Sequence, residues 1–252
     1  MLDHTFSIKL FSSILIFVVA IFAGMYPFLK KITSQQYNFP LAEALAAGVF
    51  LGAGLLHMLG DAAQGFIAQH YEYPFPFLYA GATFLFLLWL EHLSFALYHK
   101  KQKNHPILAI LAVFMLSIHA FLAGAALGLG ESPSVIIVIL LAILAHKWAA
   151  SFALAIHLNK SHLSYKASIL LFAFFVMMTP LGIYCGHLAT LQLQHIPLLA
   201  PTFIALSAGT FIYLGTLHGL SRSVMIKECC NLKQYTLVIL GFSLMAIVAI
   251  WT

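Results

Sequence analysis

Apolar runs separated by short polar breaks make up the chain, covering about residues 10–29, 41–66, 77–97, 107–129, 135–158, 167–188, 202–220 and 236–251. Each run is close to the roughly 20 residues that an α-helix needs to cross the hydrocarbon core of a bilayer. None alternates with period two, so the pattern predicts eight transmembrane helices and excludes a barrel. Lys30 and Lys31 close the first helix, "YHKKQKNHP" follows the third, and "GLGESPS" ends the fourth. Small residues in "VVAIFAG" resemble a cleaved leader, but this run is flanked by one Lys and one Asp and continues to a Lys pair. It is therefore expected to remain as a spanning helix.

Composition narrows the class. Of 252 residues, 62% are hydrophobic and only 8% charged, too little polar surface to solvate a globule of this size. The expectation is a single all-α transmembrane domain over residues 1–252, multi-pass, in a plasma or bacterial inner membrane. Ten of the 12 Lys and Arg fall in the loops after helices one, three, five and seven: Lys30, Lys31, Lys100, Lys101, Lys103, Lys160, Lys166, Arg222, Lys227 and Lys233. The positive-inside rule makes those loops cytoplasmic and both termini non-cytoplasmic. The net charge of +5 is explained by this asymmetry and requires no nucleic-acid partner. Cys185, Cys229 and Cys230 support no disulfide framework, and the vicinal pair lacks the nearby third and fourth ligands of a structural metal site.

An internal repeat organises the helices. Residues 47–57, "AGVFLGAGLLH", written under residues 208–218, "AGTFIYLGTLH", share Ala, Gly, Phe, Gly, Leu and His at the same offsets. The second helix runs outward from the cytoplasm and the seventh runs inward, so the two copies are opposed, as in transporters built from inverted repeats. Relating helices one to three with six to eight leaves four and five as a central pair, a 3+2+3 bundle. That pair carries His119 and His146, each near the middle of its run. Ionisable groups at the midplane are costly in lipid, and two at one depth on adjacent helices point to an ion pathway. A structural role for either ring, as a hydrogen-bonding group between helices, is the alternative.

Several ordered stretches resemble the ZIP (Zrt/Irt-like) family of divalent-metal transporters. "AAGVFLGAGLLHMLGDA" is similar to the family's second helix, "FLLWLEHL" to its third, "MTPLGI" to its sixth and "LSAGTFIYLG" to its seventh. The resemblance implies eight helices, outward-facing termini, a metal site between helices four and five, and often a homodimer. In the family, helix four carries a His, then Asn or another polar residue, and a Glu four positions after the His; here His119 is followed by Ala120 and Ala123. Helix five often carries a carboxylate four residues after its His; here His146 is followed by Lys147 and Ala150. His218 stands where helix seven usually has Glu.

The expected ligands are therefore His119 and His146, with His57, Asp61 and His218 as further candidates. Zn²⁺ takes imidazole nitrogen and favours four ligands; His57 and Asp61, spaced i and i+4, share one helix face and can add to the set. Lys147 occupies a position that supplies a second-metal ligand in binuclear members, so one ion at a time is expected; its partner is left open between Asp61, Glu91 and loss of its proton. The expected function is divalent-metal transport, zinc foremost, toward the cytoplasm, with the ion as cargo, no cofactor, and membrane lipids and a second copy of the chain as the expected partners. The alternative is a ZIP-fold protein that has lost metal transport and carries another solute or acts as a scaffold. An enzyme is not expected, because HExxH and clustered His boxes are absent from the chain.

Overall fold

In lipid every backbone N–H and C=O must be satisfied within the protein, which leaves a chain of apolar runs little choice but helices. The computed structural model describes residues 2–29, 40–97, 106–161, 163–192, 197–216 and 232–250, and among them it contains helices and no strand. The helices are α1 (Leu2–Leu29), α2 (Pro40–Ile67), α3 (Phe75–Leu97), α4 (Pro106–Leu129), α5 (Pro133–Lys160), α6 (Tyr165–Gln192), α7 (Leu199–Tyr213) and α8 (Leu232–Val248). Seven of these rods are long and apolar enough to cross a membrane, while α8, with 17 residues, is shorter.

Most helices begin a few residues before the apolar runs do. Pro40, Pro106 and Pro133 each open a helix, the position where a missing N–H costs nothing and a fixed φ helps. At α5 the Ser132 hydroxyl accepts the N–H of Val135 at 3.3 Å, capping the first turn. Pro180 lies within α6, which remains one helix through it.

α2 is not uniformly α-helical. Its turn at Ala53–Met58 widens to π geometry between the α segments Pro40–Gly52 and Leu59–Ile67. α7 makes the same change from residue 214 to 216. With residue 47 placed under 208, Ala53 falls under Leu214, so both rods widen at the matching position.

Two sets of helices pack mainly among themselves: α1, α4, α5 and α6 in one, α2, α3, α7 and α8 in the other. Glycines allow the closest approaches. A Cβ on Gly186 of α6 would lie 2.3 Å from the Ala125 carbonyl oxygen of α4, and one on Gly48 of α2 would lie 2.1 Å from that of Val238 in α8. Gly209 of α7, the repeat partner of Gly48, meets Ala80 of α3 in the same way. Small residues substitute here for the hydrophobic effect, which gives no drive between helices already in hydrocarbon.

α4 lies against α7 and α2 against α5, joining the two sets. Lys160 donates to Glu43, an ion pair tying the end of α5 to the start of α2. Each charge also faces the favourable end of its own helix dipole. One residue earlier, the Asn159 amide donates to the Pro27 carbonyl of α1.

Candidate metal site between the fourth and fifth helices

His119 of α4 and His146 of α5 are buried inside the protein, 3% and 2% exposed, and neither faces lipid. Their ring centroids are 5.6 Å apart with planes 70° apart. Two imidazoles on one tetrahedral Zn²⁺, each with Zn–N of about 2.0–2.1 Å, have centroids roughly 5 Å apart. The observed spacing is close to that value.

The two rings have different surroundings. His119 Nδ1 lies 2.8 Å from the Ser207 hydroxyl and 3.0 Å from that of Thr210, both on α7. His146 Nδ1 is buried and makes no well-formed hydrogen bond, although the Ala142 carbonyl one turn back is close enough to act on the ring. Phe211 of α7 stacks on His119 at 3.6 Å between centroids and stands nearly perpendicular to His146 at 4.8 Å.

His57 occupies the widened turn of α2 and is 6% exposed. Its Nδ1 lies 3.0 Å from Asp61 Oδ2. A carboxylate accepts, so the ring donates to Asp61 from Nδ1. The side chain of Asp61 is more exposed than that of its partner, 22% against 7%. His218 lies outside the described residues. Among the described residues, no three His, Cys, Asp or Glu are gathered as a ready metal cluster.

Lys147 pairs with neither carboxylate considered from sequence. Its Nζ donates to Thr179 Oγ1 of α6 at 2.9 Å and sits 4.2 Å from the Phe175 ring centroid. Consecutive residues on a helix point about 100° apart, so with His146 toward α4 and α7, Lys147 is turned toward α6. Asp61 is bonded to His57, and Glu91 accepts from the Tyr213 hydroxyl of α7. Where the family pattern places polar ligands, Ala120, Ala123 and Ala150 fill buried space.

Sequence reasoning did not single out Ser207, Thr210 and Phe211. They stand at i, i+3 and i+4 within "LSAGTFIYLG", and two hydroxyls on one stripe of an apolar helix were the available signal. Cys185 is free and exposed on α6; Cys229 and Cys230 lie outside the described residues.

Comparison with known proteins agrees with this architecture. The family model described as ZIP Zinc transporter matches residues 6–107 and 99–249. Mouse (Mus musculus) "Zinc transporter ZIP2" is 27% identical over 265 residues, covering 84% of this chain and 85% of the mouse protein. Human (Homo sapiens) "Zinc transporter ZIP2" is 28% identical over 266 residues, with the same coverage of each chain. "Zinc transporter 11" of Arabidopsis thaliana is 25% identical over 291 residues, covering 97% of this chain and 85% of its own. With the family model matched along most of its length and helices that can cross a membrane, this chain belongs to the ZIP zinc transporter family: it is a multi-pass membrane transporter for divalent metal, and not an enzyme.

Proposed function

We propose that this chain carries Zn²⁺ toward the cytoplasm, one ion at a time, through a route on which His119 and His146 are the central ligands. The observation that carries this reading is the pair of buried imidazoles 5.6 Å apart, one with a nitrogen that makes no well-formed hydrogen bond. The direction rests on the family and on the basic loops, which put both termini outside the cytoplasm. On that orientation His57 and His119 each stand ten residues from the outer ends of α2 and α4, about 15 Å at 1.5 Å per residue. His57, held by Asp61, then serves as a nearby ligand, and His218 is its counterpart in the repeat. Water completes the coordination that the missing carboxylates leave open.

The inverted repeat draws support from packing. Exchanging α1 with α6, α2 with α7, α3 with α8 and α4 with α5 turns the α1–α5 pairing into α6–α4 and the α2–α8 pairing into α7–α3, all among the most extensive contacts between helices, and maps the α2–α7 contact onto itself. The matched widened turns and the matched glycines Gly48 and Gly209 point the same way.

A site of neutral imidazoles binds a dication less tightly than one with carboxylates, and an ion that must leave gains from that. The same facts favour the second reading, a ZIP fold that has lost metal transport: Ala123 and Ala150 stand in place of carboxylates, and Lys147 adds a positive charge beside His146. Zinc uptake into proteoliposomes separates the two. The wild type should accumulate zinc and the double variant His119→Ala, His146→Ala should not; uptake unchanged in the double variant would remove the proposed route.

A further inference from the structure

His119 is held by a helix of the other set. Ser207, Thr210 and Phe211, all fully buried, form one stripe of α7 against the ring. Counting donors shows what the stripe does. The Thr210 hydroxyl donates to the Ser207 carbonyl at 2.6 Å, and the Ser207 hydroxyl points its donor at the His119 carbonyl at 3.4 Å. The Thr210 proton is thus committed, so that hydroxyl offers His119 Nδ1 a lone pair, and the Ser207 carbonyl, 3.3 Å from Nδ1, is a second acceptor; the Ser207 hydroxyl, 2.8 Å from Nδ1, is free to accept there as well. Two acceptors with no proton to give Nδ1 favour the ring that carries its proton on Nδ1 and leaves Nε2 unprotonated. Phe211, backed by Phe50 of α2 at 5.0 Å, covers one face of the ring and blocks its rotation.

We infer that Ser207, Thr210 and Phe211 are positioning residues that fix His119 as the Nδ1–H tautomer, present Nε2 to the passing ion and thereby set the affinity of the site. The inference rests on the reading of His119 as a ligand and adds the partner that orients it. A metal-ligating His commonly donates its other ring N–H to such an outer partner, and loss of that partner lowers metal affinity about 10–100-fold. Because ligand and cradle belong to different helix sets, His119 keeps this orientation only while α4 and α7 are docked as they are here.

The test uses the full-length protein in proteoliposomes with zinc as the probe. The double variant Ser207→Ala, Thr210→Val keeps the shape of the stripe and removes both hydroxyls; KM for zinc should rise at least tenfold while uptake at saturating zinc stays near wild type. Thr210→Ser, which keeps a hydroxyl, should restore most of the affinity when introduced beside Ser207→Ala. Nitrogen NMR of ¹⁵N-histidine-labelled protein in nanodiscs gives a readout independent of transport. The signal lost in His119→Gln should report Nδ1 protonation in the wild type and a mixture of tautomers in the double variant. If the double variant does not reach the membrane, Thr210→Val alone decides on the same readouts. An unchanged KM together with an unchanged tautomer would overturn the cradle even where removing His119 abolishes uptake; uptake that survives His119→Ala would instead sink the assignment of the ligand.

Discussion

Ala123 stands four residues after His119, where the family pattern has a carboxylate, and Ala123→Glu tests whether charge is what the site lacks. Residues at i and i+4 have Cβ atoms about 5–6 Å apart, and side chains lean toward the helix N-terminus, so a glutamate at 123 reaches back toward the His119 ring. A carboxylate about 5 Å from a dication, at an effective dielectric near 20, gains about 6–7 kcal/mol. Burying the carboxylate costs several kcal/mol. Ala123 packs in an apolar cluster with Leu127, Ile143 and Ile183, so crowding costs about 1–3 kcal/mol more. Both costs are borne by the folded protein before zinc arrives and lower its stability; even a fifth of the Coulomb gain, about 1.4 kcal/mol, corresponds to roughly tenfold tighter zinc binding. Competition with a chelating dye in nanodiscs measures it, and Ala123→Gln controls for size without charge. A folded Ala123→Glu protein that binds zinc no better than Ala123→Gln would refute the claim that the imidazoles share one ion within reach of position 123.

Three further outcomes follow from particular contacts. Asp61→Asn removes the anionic acceptor of His57 Nδ1, and zinc KM in proteoliposomes should rise about tenfold; no change would detach this pair from the route. Lys147→Met deletes a buried cation that faces Thr179 and Phe175 instead of a carboxylate; chelator competition should show zinc affinity rising at least tenfold, and a fall would mean that the ammonium supports the site. Gly186→Leu drives a Cβ to 2.3 Å from the Ala125 carbonyl oxygen, and thermal unfolding in detergent should fall by several degrees, in line with about 1–3 kcal/mol of overpacking. Gly60→Ala, whose Cβ meets nothing within 4 Å, should leave it unchanged.

The helices were legible because lipid forces the backbone into them, and apolar runs therefore mark their positions. The rods start ahead of the apolar runs, since Pro40, Pro106, Pro133 and the Ser132 cap lie in the polar breaks and open helices there. The meeting of His119 and His146 follows from equal depth on neighbouring helices, a property of sequence position. The direction of Lys147 does not: which side of α5 meets α6 depends on how the whole bundle assembles, and apolar residues surround the position on every side. Ser207, Thr210 and Phe211 carry no charge and escaped a search for titratable groups, although their work is done through the ring they hold. Nor does hydropathy report the change of turn at Ala53 or Leu214, because apolar residues continue through it.

That change of turn acts as a phase shifter. A wide turn takes up one additional residue with little gain in length, so the remainder of α2 is rotated by about 100° relative to an unbroken rod. Tightening this turn to ordinary helix at constant length would swing the segment beginning at Leu59, Asp61 included, by about 100°, whereas deleting one residue between Ala53 and His57 would let the hydrogen bonds close up and leave that segment on its present azimuth. A one-residue deletion there is thus better tolerated than one elsewhere in the same rod, where every residue beyond the cut would turn by that angle.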